Sequence, residues 1–436
     1  MPPLRTEPGR AAQTLARFVY SSLLRLLTPL YLARLWWRGR REPGYRLAWA
    51  ERLGSGAVAA KPGALWLHAV SLGETLAATA LLTALRARQP GLRLLLTHGT
   101  ATGRAAGQAL LRPGDQQVWL PYDTPGAVRR FLRRHQPALG VLMETEIWPN
   151  LLHEAAAAGL PMVLANARLS ERSARRGQRL AALLHPAGRC LRLALAQSEA
   201  DAERLRAAGV ADVRVCGNLK YDLQPDAAQL ARGQQWAAAF ARPVVAMTNT
   251  REGEEAQLLA AWQAWPGQRP RLLIVPRHPQ RFDEVAALVQ AHGLSLSRRS
   301  SWQLDLPSAE AGEAEVWLGD SLGEMASYYA AARLALLGGS FAPLGGHNLI
   351  EAAACGCPLL MGPSTFNFAE AAERALAEGA AWRCRDMAEA LERAAALLAS
   401  TGELAEAAAC ARAFSARHRG AAQRMASMIL DLLSKP

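Results

Sequence analysis

Little in this chain invites a metal, a disulfide or a nucleic acid. Its six cysteines, at positions 190, 216, 355, 357, 384 and 410, form no C-x-x-C pair. That pattern fits reduced, buried thiols in a cytosolic protein. Aromatic residues make up only 6%, with no basic-aromatic interleaving and no zinc-finger spacing, which counts against nucleic acid. There is no G-x-G-x-x-G and no Walker A, so neither NAD nor ATP hydrolysis is indicated. The most apolar stretch, residues 14–37, is broken by Arg17, Arg25 and Arg34. No uncharged run therefore reaches the roughly 18 residues of a spanning helix. A secretory cleavage site and a short-period repeat are also missing.

What is there is a globular composition. Half of the 436 residues are hydrophobic and 20% are charged, enough for two or three domains, each with its own core. The formal net charge of +13 points to a polyanionic partner: an acidic membrane surface or phosphorylated substrates, with nucleic acid disfavoured. Residues 14–37, followed by "RGRRE", combine Leu, Trp and Tyr with a basic cluster. This fits a segment lying in an anionic lipid interface. A short tilted span and a helix packed on its own domain remain open alternatives. Pro29 is expected to kink the helix, and the arginines do not fall on one clean face.

From residue 64 onward, continuous apolar strands alternate with helical segments, the pattern of parallel sheets covered on both faces. "ALWLHAV" (64–70), "LRLLLTHGT", "VWLPYD", "ALGVLME", "PMVLANA", "LALAQS" and "VRVCGN" form a first series. After a polar stretch the pattern restarts with "PVVAMTNT", "RLLIVPRH", "GLSLSRR", "EVWLGD", "LALLGGS" and "PLLMGPS", and Ala-rich helices follow from about 386 to 434. Two Rossmann-like halves are expected. The division is a membrane-associating segment 1–40, a first domain 41–222, a connection 223–240 and a second domain 241–436.

Ligands of open parallel sheets bind beyond the carboxyl ends of the strands, so those loops carry the chemistry. In "APLGGHNLIE", Gly345 and Gly346 precede a helix start, where backbone N–H groups and the helix dipole attract an anion. Glu351 lies one turn in, placed to accept from ribose hydroxyls; the competing reading is a capping box with Asn348. Arg277, in "PRHP", suits a phosphate. "GDSLGE" (319–324) is either a ligand loop or a plain turn. In "SLGE", Ser71 and Glu74 have capping-box spacing. A helix start ordinarily lowers a carboxyl pKa, so Glu74 is expected to be ionised, and such a carboxylate can also take a proton from an alcohol. His68, Glu74, Glu144, Glu146, Asn166, Arg168 and Lys220 all lie at strand ends of the first half, a convergence that capping does not explain.

"HAVSLGE", "ETEIWPN", "NARLSERS", "GNLKYD", "EGEE", "PRHPQRF" and "GGSFAPLGGHNLIE…MGPSTFNF", in this order, resemble the 3-deoxy-D-manno-octulosonic acid (Kdo) transferases of lipopolysaccharide synthesis. The resemblance spans about residues 20 to 430. It implies an α/β GT-B glycosyltransferase fold, with two Rossmann-like domains facing a cleft and an N-terminal membrane-associated helical segment. It implies inverting, metal-independent transfer of Kdo from CMP-Kdo to the 6′-hydroxyl of the lipid A precursor, at the cytoplasmic face of the inner membrane. CMP-Kdo is then the donor substrate and no cofactor is needed. By motif, Glu74 resembles the general base, and Glu144 and Lys220 resemble residues that support the transition state. Pro276 and Arg277, Leu322, Gly323 and Glu324, and Gly345, Gly346, Asn348, Leu349, Ile350 and Glu351 resemble the CMP-binding segments. Arg251 departs from the pattern, since relatives usually have His there. A bisphosphorylated, acylated acceptor and an anionic lipid surface would account for the basic surplus.

Two rival readings survive the residue types alone. One is a GT-B transferase that uses a UDP-sugar. The other is a catalytically silent, membrane-bound binder of nucleotide or phospholipid.

Overall fold

The structure, a computed structural model, describes residues 9–56, 59–303 and 306–434. Residues 1–8 of the expected N-terminal segment, and 435–436, lie outside the described residues. The chain divides into two units, one comprising residues 1–222 and 419–436, the other residues 223–418.

The strands of the first unit are β1 (Leu65–His68), β2 (Leu94–His98), β3 (Gln116–Trp119), β4 (Leu139–Met143), β5 (Met162–Ala167), β6 (Leu193–Ala196) and β7 (Val213–Val215). Among the described residues they form one parallel sheet in the order β3-β2-β1-β4-β5-β6-β7. Both faces are covered, which is why the strands read as unbroken apolar runs. Side chains alternate between faces with the strand period of two. Leu65 and Leu67 join Leu94, Leu96 and Val141 under one helical layer. Trp66, Leu95 and Leu142 join Phe131 and Leu151 under the other.

The second unit repeats the plan with β8 (Val244–Thr250), β9 (Arg271–Pro276), β10 (Leu296–Arg298), β11 (Val316–Leu318), β12 (Leu334–Leu337), β13 (Leu359–Met361) and β14 (Ala381–Arg383). Their order is β10-β11-β9-β8-β12-β13-β14, all parallel. The expected strand list lacks β14. It is a three-residue edge strand, too short for any periodicity to show.

Two boundaries differ from the sequence expectation. The Ala227–Ala238 helix, within the expected connection 223–240, packs on the Met325–Ala331 helix of the second unit. Gly233 permits this, since a Cβ there would come within 2.2 Å of the Ser327 carbonyl oxygen. Trp236 is fully buried beside Trp302 and Tyr328. The closing helix Ala421–Leu433, expected in the second domain, belongs to the first unit. Its buried face, Ala421, Ala422, Met425, Ala426 and Ile429, joins the core that also holds Leu81 and Leu85. The Asp222 carboxylate accepts the Gly420 and Ala422 N–H groups at that helix start, a favourable site for an anion.

The N-terminal helix α1 runs unbroken from Arg10 to Arg38 with Pro29 inside it. One face is tied to the first unit. Tyr20 Oη donates to Asp123 Oδ2 (2.8 Å), Ser21 Oγ to Asn150 Oδ1 (2.9 Å), and Arg17 Nη2 to Glu154 Oε1 (2.9 Å). The opposite face exposes Leu15, Phe18, Val19, Leu23, Leu26, Leu30 and Trp37. At about 100° per residue, Arg25 and Arg34 border that stripe on its two sides while Arg17 faces the protein. The arginines are therefore ordered about the helix. No helix among the described residues is long and apolar enough to cross a membrane.

Candidate active site

In each sheet, strand order reverses beside the first strand, between β1 and β4 in one unit and between β8 and β12 in the other. Such switch points open a crevice at the carboxyl ends of the strands. The chemistry-bearing loops fall there.

In the first unit, α2 (Leu72–Arg88) begins directly after β1. Ser71 is its N-cap, with Oγ accepting the Glu74 N–H at 3.4 Å. Glu74 returns the contact: Oε1 accepts from Ser71 Oγ at 3.1 Å and Oε2 from the Val70 N–H at 2.8 Å. The capping box therefore forms, but its carboxylate holds the amide one residue before the cap. The expected low pKa does not follow. Burial, reinforced by Glu144 and Glu146, lifts the Glu74 carboxyl from 4.5 to about 7 against the opposing pull of Val70 N–H and Ser71. Desolvation outweighs the helix dipole.

Those two neighbours come from the loop after β4. Glu144 sits at φ +57°, a left-handed conformation uncommon for a side chain of that kind. Its Oε1 lies 3.7 Å from Lys220 Nζ. Trp148 Nε1 donates to Glu146 Oε2 at 2.7 Å, and burial pushes the Glu146 carboxyl up as well. Lys220 is presented by a short helical turn, Leu219–Asp222. Asn166 Oδ1 accepts the Leu219 N–H and Asn218 Oδ1 accepts the Lys220 N–H, each at 3.0 Å. Gln197 bridges the two asparagines, donating to Asn166 O (2.9 Å) and accepting from Asn218 Nδ2 (3.0 Å). Glu74, Glu144, Glu146 and Lys220 are thus brought together. His68 is not part of this group. It is fully buried, held by Thr97 Oγ1 at 2.9 Å, and pushed down to about 3 by burial and then by His98.

In the second unit, Glu254 joins the loops after β8 and β12. Its carboxylate accepts N–H groups of Arg251 (2.9 Å), Gly339 (2.7 Å), Phe341 (3.2 Å) and Ala342 (3.3 Å). Glu255 accepts from Thr250 Oγ1 and receives both terminal nitrogens of Arg281, at 2.6 and 3.1 Å. "EGEE" is therefore scaffolding. Around it, Arg251, Arg277, His278 and His347 lie within one another's field. Burial first, then Arg277, Arg251 and His278, push His347 down to about 4. Guanidiniums gathered in this way can attract a phosphate.

The glycine loop departs from expectation in one respect. Gly345 and Gly346 are left-handed, at φ +85° and +70°, but their N–H groups are taken by Ser364 Oγ (3.0 Å) and Gly339 O (2.8 Å). They shape the loop and do not offer those amides to an anion. The Asn348–Glu351 capping box does not form either. Asn348 Oδ1 accepts from Ile350 N at 3.2 Å, while Glu351 is raised by burial and steadied by Arg277. Leu349 and Ile350 are buried core residues, and Pro276 ends β9. In "GDSLGE", Glu324 is engaged by Arg232 (3.0 Å) and Arg299 (2.9 Å), Gly323 O accepts from Gln229, and Leu322 is 73% exposed.

Lys220 is expected from its strand-end position and its motif, and composition supports it. It is one of only three lysines in a chain whose Lys and Arg together number 50, so a compact ammonium stands where arginine is otherwise used. His347, which follows the glycine pair directly, is the contributor that the sequence reading missed. Glu254's loop-joining role had no local signal, because its partners in the loop after β12, Gly339, Phe341 and Ala342, lie more than eighty residues away.

Comparison with known proteins gives the family. The family described as "3-Deoxy-D-manno-octulosonic-acid transferase (kdotransferase)" matches residues 47–223. The 3-deoxy-D-manno-octulosonic acid transferase of Bordetella pertussis is 48% identical, covering 96% of this chain and 100% of the relative. That of Haemophilus influenzae is 34% identical, covering 96% and 99%. Among solved structures, a glycosyltransferase from Rickettsia africae has a TM-score of 0.59 at 10% identity, covering 86% of this chain and all of that one. HepE of Anabaena in complex with UDP has a TM-score of 0.58 at 16% identity, covering 85% and 99%. These two likenesses establish the α/β GT-B fold alone. With near-full-length identity to two such enzymes added to that fold, the chain belongs to the 3-deoxy-D-manno-octulosonic acid (Kdo) transferase family and is a glycosyltransferase.

Proposed function

We propose that the enzyme transfers Kdo from CMP-Kdo to the 6′-hydroxyl of lipid A precursor, with inversion, at the cytoplasmic face of the inner membrane. The observation that carries this reading is Glu74, a carboxyl raised to about 7 beside the Glu144–Lys220 pair at a sheet switch point. A base of that strength is half ionised at neutral pH and returns its proton readily. In the reaction, Glu74 takes the hydroxyl proton as the alcohol oxygen bonds to the anomeric carbon. The bond from that carbon to the CMP phosphate oxygen breaks from the opposite side, and CMP leaves with the bonding pair. Lys220 and Glu144 keep the charge around the reacting alcohol balanced.

The second unit holds the nucleotide in this proposal. Arg251 and Arg277 meet the phosphate, and the loops joined by Glu254 shape the site. In this proposal the two guanidiniums meet the leaving phosphate where a metal ion would otherwise stand, and no cofactor enters. Chelation with EDTA should then leave the transfer rate unchanged. The exposed apolar stripe of α1, bordered by arginines, supports a seat in the lipid interface.

The test is incubation with CMP-Kdo and lipid A precursor, followed by mass spectrometry of the lipid. One Kdo mass increment or more, with none when CMP-Kdo is replaced by a UDP-sugar, is the expected result. Absence of any Kdo adduct where the Bordetella relative produces one would overturn the proposal.

A further inference from the structure

The first unit has a cavity of about 500 Å³ beneath α1, lined by none of the candidate active-site residues. Its other walls are the helices Pro125–His135, Pro149–Ala157 and Ala181–Arg189. Three arginines line it, Arg17, Arg25 and Arg129, against a single carboxylate, Glu154. Glu154 is nearly buried and accepts from Arg17 at 2.9 Å and Arg129 at 3.4 Å. One anion thus fixes two guanidiniums and leaves an excess of positive charge. Arg25 is exposed, and among the described residues no acidic group pairs with it. Phe18 and Leu183 complete the lining. Phe18 is 66% exposed and belongs to the apolar stripe of α1, so cavity and stripe share an edge.

We propose that this cavity binds the phosphate of an anionic phospholipid headgroup of the bilayer, with the acyl chains lying along the exposed stripe of α1. Guanidinium forks match phosphate oxygens, and an excess of them in a partly enclosed site demands an anion. A soluble phosphate would gain nothing from Phe18 or the stripe beyond it, whereas an acylated one buries apolar surface there. The inference rests on the proposed seat at the membrane, and adds to it a discrete headgroup site in place of diffuse attraction.

The test uses the full chain and dihexanoylphosphatidylglycerol held below micelle concentration, so that no bilayer potential contributes. Saturable binding is expected. Arg25→Glu should weaken it about tenfold or more, and Ala182→Trp, which fills the cavity without changing charge, should do the same. Arg88→Glu, an equal charge change on the exposed end of another helix of this unit, should leave it unchanged. Three results would overturn the inference: no saturable binding, equal loss in Arg25→Glu and Arg88→Glu, or displacement by inorganic phosphate at equal concentration. Kdo transfer to acceptor dispersed in detergent is measured on the same preparations. Failure of transfer in the unaltered chain counts against the proposed reaction, while normal lipid binding by Arg25→Glu and Ala182→Trp counts against the cavity alone.

Discussion

Glu74 carries a measurable consequence at both ends of its titration. Its folded pKa of about 7 lies above the ordinary 4.5, so between those values the folded state holds a proton that the unfolded state has lost. Stability must fall as pH rises through that window, and the loss is complete above about 7. Glu74→Gln removes the titration and keeps an oxygen to accept the Val70 N–H. The variant should match the parent below about pH 4.5 and melt higher above pH 7, by roughly 2–4 °C for each kcal/mol recovered. Thermal melts at pH 4.5, 6 and 8 decide it; a variant less stable than the parent at pH 8 would contradict the raised pKa. In the proposed reaction the same group sets the rate. Transfer by the parent should climb tenfold per pH unit below 7 and level off above it, while Glu74→Gln loses about 10²–10⁴-fold throughout.

Among elements, the turn Leu219–Asp222 depends most on distant support, because a four-residue turn cannot hold a lysine in place by itself. Asn166 does so from β5, at φ +52° beside a register shift in the β5–β6 pairing. Asn166→Gly keeps the left-handed backbone and deletes only the acceptor of the Leu219 N–H. We expect kcat to drop about tenfold or more, as small misplacements of a charged group do, with KM for CMP-Kdo unchanged. A looser Lys220 also screens Glu144 less, so the acid limb of the pH–rate profile should move to higher pH. An unmoved limb would mean that Asn166 serves the fold alone. This is also where sequence reading stops. The long strands were legible because both faces of each sheet are covered and nearly every position is apolar, as in β4. The Ser71–Glu74 cap was legible from spacing. The pKa of Glu74 was not, since it depends first on burial in the folded unit and then on carboxylates about seventy residues away, and neither was the use of the Gly345 and Gly346 amides, which Ser364 and Gly339 consume.

On the scale of the whole chain, the boundary between units is crossed twice, and the second crossing was hidden because an Ala-rich helix reads the same on either side of it. What decides the matter is the pairing of Asp222 with the Gly420 and Ala422 amides, together with a helix face matched to the core under α2. The closing helix Ala421–Leu433 therefore stabilises the first unit. Ile429, fully buried there, offers the sharpest probe. Ile429→Ala removes three carbons from a packed core and should cost about 2–5 kcal/mol. Because the two units have separate cores, that loss should not spread evenly. Amide hydrogen exchange should quicken in β1, β2, β4 and α2 and stay unchanged in β8, β9 and β12, although Ile429 is much closer in sequence to the second set. Loss of protection in the second sheet, with the first left intact, would place the closing helix with its neighbours in sequence and overturn the division of the chain described above.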